Sequence, residues 1–407
     1  MGPPTGPPTG RRSLCPVMRD ATALGATTAG RRPRLLFIAQ LPPPVHGAAV
    51  MNRLASRSTR LNERFHIAVL PLRFATDIAD IDRFRLGKLV VLLATVLRML
   101  GMLAAFRPRV LYLTLSPTGK PFLRDVLFAA AARAFGVVRV YHLHGKGIAA
   151  ARRSTPWLDR LYQWVFSGAK VIVLSHLLRA DVEGLVESPD IAVVNNGIPD
   201  PVALAPPPSR RNGGDVRILF LSNMVPEKGF LVLIEALSLL RDRNVSVRAD
   251  FAGAWMSPDA ATAFAAEVRR RGLADRVVHH GPAYGDDKAA LFRASDIFAL
   301  PTFYRFECFP GVLLEAMAYG LPVVTTDEGA IPDIVADGTN GFIVPRRDAR
   351  ALADRLERLV LDPALRRSMG AEGRRVFLDR FQLHHFENAL CDALERFADT
   401  PAPPRRD

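Results

Sequence analysis

Two glutamates flank an apolar stretch whose residue types could bind a phosphorylated sugar. Glu307 and Glu315 enclose seven residues in ECFPGVLLE, between the apolar runs DIFALP and LPVVTT. Pro310 is typical of the first turn of a helix, and a glycine such as Gly320 often follows a helix end. We therefore predict a helix that starts near the prolyl residue, with Glu307 on the preceding loop and Glu315 on the second turn.

The N-terminus of this helix is a predicted phosphate cradle. Free N–H groups at a helix start carry a positive partial charge, and carboxylates accept hydrogen bonds from vicinal hydroxyls. The alternative is that Glu307 only favours the helix dipole and that Glu315 is an exposed helix residue. The candidate substrate-binding residues of this stretch are Cys308, Phe309, Pro310, Gly311, Val312 and Glu315.

A lysine occupies a second strand-to-helix junction, in FLSNMVPEKGF. Lys228 lies at the start of the predicted helix, next to Gly229. A cation in such a loop can neutralise a departing phosphate. A solvated lysine in a turn is the alternative.

Histidines and a glycine mark two further strand ends. His142 and His144 end the predicted strand VVRVYHLHG. We expect the two rings to point to opposite sides, with His144 facing a ligand and no metal held between them. Gly47 opens the first helix and would admit a phosphate or a sugar. The pattern around it is not GxGxxG, which disfavours dinucleotide binding.

Strands and helices alternate in two series, which predicts an α/β protein with two Rossmann-like domains and parallel sheets facing across a cleft. We expect ligands beyond the carboxyl ends of the strands. The predicted parts are a disordered basic leader (1–33), an N-terminal domain (34–200), a linker (201–215), a C-terminal domain (216–375), a C-terminal helix packing back on the first domain (376–398) and a tail (399–407).

One apolar run, Leu86 to Phe106, is long enough to span a membrane. Lys88 and Arg98 interrupt it, and a charge near the centre of a span is unfavourable. We therefore predict a covered helix of the α/β domain. A span and a helix lying in a membrane interface remain as alternatives.

Composition indicates a soluble globular protein with acidic partners. Apolar residues make up 49% of the 407 residues and charged residues 23%, and the formal charge is +14. The three cysteines are far apart, which favours a reducing compartment. The leader has no apolar h-region, so it is not read as a secretion signal.

Together these motifs resemble the family-4 glycosyltransferases, which are retaining enzymes of the GT-B fold. The resemblance covers roughly residues 34 to 390 and the motifs occur in the family's order. It is carried by the E-x7-E segment from Glu307 to Glu315, by VPEKG, HLHG, PVHGAAV and VVNNGI, and by DEGAIPDIVADGTNGFIV. SPTGKPFLRDVLF looks most like bacterial enzymes that build exopolysaccharide or other envelope glycans.

The resemblance implies a role for each matched residue. Glu315 would bind the ribose of a UDP- or GDP-linked sugar, and Glu307 would contact the sugar. Lys228 and the amides from Phe309 to Val312 would hold the diphosphate without a metal or any other cofactor. His144 would lie near the transferred sugar, and Gly47 near the donor phosphate. The N-terminal domain would take a saccharide or lipid-linked saccharide acceptor.

Two positions depart from the family pattern. Asn223 stands where many members have an arginine that binds phosphate, and Arg305 is a candidate substitute. Ala330 and Asp333 stand where members often have glycine and glutamate. Both departures leave open which nucleotide-sugar is the donor.

Three other functions remain as alternatives. A hydrolysing nucleotide-sugar epimerase would turn over donor without acceptor, and a non-catalytic scaffold subunit would turn over nothing. Nucleic-acid binding is disfavoured because the basic residues are dispersed. We expect a cytoplasmic protein. A basic first domain would contact an anionic surface at the inner face of the membrane through Arg83, Arg85, Lys88, Arg98, Arg107, Arg109, Arg152 and Arg153. The alternative is that these residues form ordinary solvated surface.

Overall fold

A computed structural model describes residues 32–43, 45–72, 86–202 and 215–400 of the chain. These residues form two six-stranded parallel sheets with helices packed on both faces of each sheet. The predicted fold class is therefore confirmed. The predicted leader and linker, and the tail beyond residue 400, lie almost wholly outside the described residues.

The N-terminal sheet has the strand order β2-β1-β3-β4-β5-β6. Its order reverses between β1 and β3, so the loop after β1 opens at a topological switch point. The strands are β1 (Arg34–Gln40), β2 (His66–Leu72), β3 (Val110–Thr114), β4 (Val138–Leu143), β5 (Lys170–Val173) and β6 (Ile191–Val193).

The C-terminal sheet has the order β12-β11-β10-β7-β8-β9, with its switch point between β7 and β10. The loops that follow these two strands contain Lys228 and Glu307. The strands are β7 (Val216–Leu221), β8 (Val247–Ala252), β9 (Val277–His279), β10 (Ile297–Leu300), β11 (Val323–Thr326) and β12 (Gly341–Val344).

Fourteen α-helices occur in the described part of the chain. They are α1 (Gly47–Arg57), α2 (Thr59–Arg64), α3 (Leu86–Phe106), α4 (Gly119–Ala134), α5 (Ile148–Ser154), α6 (Pro156–Phe166), α7 (Phe230–Asp242), α8 (Pro258–Arg270), α9 (Gly285–Ala294), α10 (Gly311–Ala318), α11 (Ile331–Ile334), α12 (Ala349–Leu361), α13 (Pro363–Arg380) and α14 (Leu383–Asp399).

The N-terminal sheet separates two cores, because alternate residues of each strand face opposite sides. Leu36 and Leu111 face the side that α3, α4 and α6 cover. Leu35 and Tyr112 face the other side, which α1, α2 and α14 cover.

The last helix, α14, therefore packs on the first sheet although it follows the second. Leu390 and Leu394 are almost fully buried there. Next to its start, the Ile198 N–H donates to the Phe381 carbonyl at 3.0 Å, and the Leu383 N–H donates to the Ile198 carbonyl at 2.8 Å. A Cβ on Gly197 would lie 2.5 Å from the Gln382 carbonyl oxygen, so this crossing requires glycine.

The prediction that α3 is a covered helix is wrong. Only Met99 and Leu103 are buried in its apolar window Leu89–Phe106, which has a mean hydropathy of 2.3 and is 11% buried. By length and composition alone this window could cross a bilayer. The prediction of a helix for this run is confirmed. The composition of a helix does not indicate, however, which other elements cover it.

Candidate functional site

The loops after β7 and β10 meet at the switch point of the C-terminal sheet. Gly229 follows a short 3-10 helix, Pro226–Lys228, and has a φ of 89°. A Cβ there would lie 2.1 Å from the carbonyl oxygen of Pro301, at the end of β10. Glycine therefore lets the two loops touch, which positions Lys228 beside the loop of Glu307.

An ion pair between Lys228 and Glu307 forms the centre of the site. The lysine Nζ lies 2.5 Å from the Glu307 Oε2 atom, and the side chains are 16% and 8% exposed. The same carboxylate oxygen accepts a hydrogen bond from the Thr302 hydroxyl at 3.3 Å. The Nζ also lies 4.9 Å from the centre of the Tyr304 ring. The ammonium group is thus held in one place at the mouth of the switch point.

The helix after Glu307, α10, directs its N-terminus into this region. Pro310 is its N-cap, one position before the first-turn position that we predicted. The N–H groups of Gly311 and Val312 have no intrahelical acceptor because they belong to the first turn. A Cβ on Gly311 would meet nothing within 4 Å, so the space in front of this N-terminus is open.

The second glutamate of the motif is paired with a lysine that the sequence reasoning assigned no role. Lys288 Nζ on α9 lies 2.5 Å from the Glu315 Oε1 atom on α10, and their side chains are 30% and 23% exposed. A ligand that hydrogen-bonds to Glu315 would therefore also meet a cation. In the sequence, the only indication of this ion pair is a lysine on the helix that precedes β10.

Cys308 and Phe309 lie in the loop between Glu307 and the start of α10. Burial raises the pKa of the Cys308 thiol, with a further contribution from the neighbouring Glu307 charge. The thiol is therefore protonated and is a poor nucleophile. The Phe309 carbonyl accepts a 3.4 Å hydrogen bond from the Asn196 side chain, which follows the first sheet. Both residues therefore act here through packing and backbone groups.

The prediction that His142 and His144 point to opposite sides is wrong. Their ring centroids are 4.2 Å apart, because residues i and i+2 of a strand share a face. Burial lowers the pKa of His144 to about 3, with a smaller effect of His46. Burial also lowers the pKa of His142, whose Nδ1 atom lies 2.6 Å from the Tyr112 hydroxyl. Both rings are therefore neutral near pH 7.

His46 joins this pair from the N-terminus of α1. Its Nδ1 atom accepts the Ala49 N–H at 3.4 Å, so the neutral ring carries its proton on Nε2. The Nε2 atoms of His46, His142 and His144 are buried and have no hydrogen-bond partner among the described residues. Beside them Gly47 is exposed, and a Cβ there would meet nothing within 4 Å.

Two polar contacts that sequence reasoning missed join the two sheets' loops across the cleft. Lys146, after β4, forms an ion pair with Glu328, whose other oxygen lies 2.9 Å from Arg346. Glu328 is only 3% exposed. Ser175, after β5, donates to the Asp333 carboxylate. The pairs are 182 and 158 residues apart in the chain, so no local pattern identifies them.

The positions that depart from the family pattern lie at two different places. Asn223 follows β7, and its backbone packs against Gly253. The guanidinium of Arg305 stacks on the Phe306 ring at 4.4 Å and is exposed. Ala330 is fully buried and donates its N–H to the Cys308 carbonyl at 2.8 Å. Asn223 thus belongs to the same loop as Lys228, whereas Ala330 supports the Glu307 loop.

Two other features are separate from these residues. Among the described residues, no group of three or more His, Cys, Asp or Glu side chains could hold a metal ion. A hollow of about 550 Å³ lies on the N-terminal domain and contains none of the predicted site residues; Arg152, Thr155 and Glu183 are among those that line it.

Comparisons with known proteins find similarity mainly in the C-terminal half of the chain. Residues 204–376 match the family "Glycosyl transferases group 1". A D-inositol 3-phosphate glycosyltransferase of Arthrobacter sp. (strain FB24) is 35% identical over 159 residues, which are 39% of this chain and 37% of that protein. A glycosyltransferase assigned to colanic acid biosynthesis, WcaL of Escherichia coli (strain K12), is 28% identical over 58% of this chain and 61% of its own length. The chain thus matches less than two thirds of these relatives.

A solved structure extends the likeness to both sheets. The Anabaena protein Alr3699/HepE, crystallised with UDP and glucose, is 20% identical and has a TM-score of 0.68. The match covers 89% of this chain and 99% of that chain. At this identity the likeness shows the fold, which is GT-B.

Proposed function

We propose that the protein is a glycosyltransferase that moves a sugar from a nucleotide-sugar to an acceptor hydroxyl. The observation that carries the proposal is the Lys228–Glu307 ion pair beside the open N-terminus of α10, at the switch point of a sheet within the matched family region. A cation and a helix N-terminus together suit a diphosphate. The neighbouring Glu315 suits a ribose.

In this proposal each side chain has one task. Lys228 and the Gly311 and Val312 amides bind the diphosphate and stabilise the charge that develops as it departs, without a metal. Glu315 accepts hydrogen bonds from the ribose hydroxyls. Glu307 orients Lys228 and accepts hydrogen bonds from the sugar. The neutral His144 donates or accepts one hydrogen bond at the sugar from the first domain.

The reaction is proposed to retain the configuration at the anomeric carbon, as in family 4. The acceptor oxygen bonds to the anomeric carbon on the face that the diphosphate leaves. The bond from that carbon to the phosphate oxygen breaks, and the departing oxygen takes the acceptor proton. No protein nucleophile is required, which agrees with the protonated state of the buried Cys308.

We further propose a role in exopolysaccharide or envelope-glycan synthesis, with a saccharide or lipid-linked saccharide acceptor. Similarity to a protein assigned to colanic acid biosynthesis supports this pathway class. The base of the donor stays open between uracil and guanine, since one relative is GDP-mannose-dependent and one fold neighbour was crystallised with UDP. The proposed location is cytoplasmic, at the inner face of a membrane.

Donor turnover tests the proposal. UDP-, GDP- and ADP-sugars are incubated with the protein in EDTA, and release of free sugar and nucleotide is measured with and without simple saccharide acceptors. We expect slow hydrolysis of one nucleotide series, faster nucleotide release with a suitable acceptor, and loss of both in Glu307→Ala. Arg269→Met, which removes an exposed cation from the last turn of α8, serves as the control.

Two outcomes would favour the alternatives. Turnover that yields an epimerised sugar, unaffected by any acceptor, would point to an epimerase. Binding without any turnover across the whole panel would point to a scaffold subunit.

A further inference from the structure

The longest apolar helix of the chain lies on the surface. Leu89, Val90, Leu93 and Leu97 of α3 are 55%, 69%, 60% and 59% exposed. Of its described side chains, only Met99 and Leu103 are buried, while Leu92, Val96 and Met102 pack partly buried against the core. A helix that exposes so much apolar surface marks a binding face.

Two neighbouring helices extend this surface. α4 packs against α3 and α6 packs against α4, with Phe122 and Tyr162 stacked at 4.1 Å between the latter two. All three cover the same side of the first sheet. Among the described residues, nine of the fourteen exposed large apolar side chains belong to these helices. We call this surface the α3–α4–α6 face and define it by Leu89, Val90, Leu93, Leu97, Leu127 and Trp157.

The three helices are more basic than acidic. α3, α4 and α6 contain six Lys and Arg but only two acidic residues, Asp125 and Asp159. Asp125 is fully buried and is paired with Arg124, and Asp159 is paired with Arg152. The three helices that expose these apolar groups therefore carry no unpaired acidic side chain among the described residues.

We propose that the α3–α4–α6 face docks on an anionic lipid bilayer, with α3 lying in the plane of the interface. Apolar side chains would enter the acyl boundary while arginines meet the headgroups. Trp157 and Trp164, which are 55% and 40% exposed, are the side-chain type that favours this boundary.

The packing of α3 disfavours a span. Met99 and Leu103 hold the helix against the first sheet, and only three residues separate its end from β3. Extraction of the helix into a bilayer would empty that part of the core and place Arg98 near the membrane centre.

Charge also disfavours a second copy of the chain on this face. Two such faces would bring like charges together without acidic residues to neutralise them. An anionic bilayer instead supplies both the apolar and the negative groups.

The position of the α3–α4–α6 face predicts where a docked protein would meet its acceptor, an inference that rests on the proposed function. Each of α3 and α4 follows a strand of the parallel sheet, so each begins at the carboxyl edge, beside the cleft. Leu89, Val90 and Leu93 lie in the first half of α3, and Leu123 lies in the first half of α4. A docked protein would hold its cleft beside the headgroups, where a lipid-linked acceptor presents its saccharide.

Vesicle flotation without donor or acceptor tests the docking separately from catalysis. The full chain is mixed with phosphatidylcholine vesicles, with or without about one third phosphatidylglycerol. We expect binding to the anionic vesicles, weakened by roughly tenfold or more in Leu93→Glu/Leu97→Glu. The matched control is Leu361→Glu, since Leu361 on α12 is 68% exposed outside this face; it should bind as the native chain does.

Each other result overturns the proposal. Equal binding of both variants would assign any membrane contact to another surface. Protein that resists extraction by alkaline carbonate would be spanning the bilayer. No vesicle binding, with a dimer in sedimentation that Leu93→Glu/Leu97→Glu dissolves, would assign the face to a second copy.

Discussion

At the scale of single residues, the candidate site consists of paired charges. Lys228 is paired with Glu307, and Lys288 with Glu315. A diphosphate donor would therefore bring negative charge to ammonium groups that already have partners. We infer that the carboxylates fix the lysine positions before binding, which reduces the ordering that a ligand would require.

Glu315→Gln tests the proposed ribose contact. The amide keeps the shape but has one acceptor oxygen in place of a carboxylate. We expect the donor KM to rise by about tenfold or more with little change in kcat, because this contact is the same in the ground and transition states. Steady-state kinetics measures it, with Glu372→Gln on α13 as the control. A fall in kcat at unchanged KM would contradict a binding role.

The lowered pKa of His144 predicts that the free energy of unfolding decreases in acid. Its folded pKa of about 3 lies below its ordinary value of 6.5, so between these values the unfolded chain binds the additional proton. Stability therefore falls as pH falls below 6.5, by about 1.4 kcal/mol per pH unit. Urea unfolding between about pH 7 and pH 5 should show a shallower fall for His144→Gln. The same slope in both proteins would contradict the account.

At the scale of elements, most strands and helices could be predicted, because their apolar runs are bounded by turn residues. α3 coincides with the run Leu86 to Phe106, and β4 lies within the predicted strand VVRVYHLHG. α8 was missed, although Ser257 caps it by accepting the Ala260 N–H and Pro258 follows. That Ser-Pro pair is the signal that could have located it.

The candidate site was only partly predictable for a physical reason. Lys228, Glu307 and Glu315 lie at strand ends of one sheet, and parallel strands bring such ends together. Lys146 and Glu328 come from different sheets, and their meeting depends on how the two halves pack. The exposure of α3 likewise depends on its neighbours and not on its own composition.

Gly229 predicts that the loop contact at the switch point is intolerant of a side chain. Gly229→Ala would place a Cβ 2.1 Å from the Pro301 carbonyl, at a φ that disfavours alanine. We expect a loss of about 3 kcal/mol or more in unfolding free energy. Gly338→Ala is the control: its φ is 76°, but a Cβ there meets nothing within 4 Å. It should lose only about 1 kcal/mol. Equal losses of unfolding free energy in the two variants would show that the close approach of Gly229 to the Pro301 carbonyl contributes nothing.

At the scale of the whole molecule, the chain crosses twice between the two sheets. α14 returns to the first sheet and buries Leu394 there. The sheets also meet through Lys146–Glu328 and Ser175–Asp333. These contacts couple the position of the first domain to that of the loops that carry the candidate site.

Leu394→Ala tests this coupling. Loss of a fully buried leucine should lower the unfolding free energy by about 2–5 kcal/mol, and the first domain should be affected although the residue lies at the far end of the chain. Calorimetry of both the variant and Leu361→Ala measures it; the exposed Leu361 should change stability by about 0.5 kcal/mol or less. Similar small changes in both would contradict the packing of α14.

The central claim is that a nucleoside diphosphate binds beside Lys228, and the most direct test is calorimetric titration of UDP, GDP and ADP in EDTA. We expect one of them to bind the native chain and the control Arg269→Met equally. Its affinity should be lower by roughly 10- to 100-fold in Lys228→Met, the loss of one charged hydrogen-bond donor. Equal affinity in Lys228→Met, or no binding of any of the three, would contradict the account.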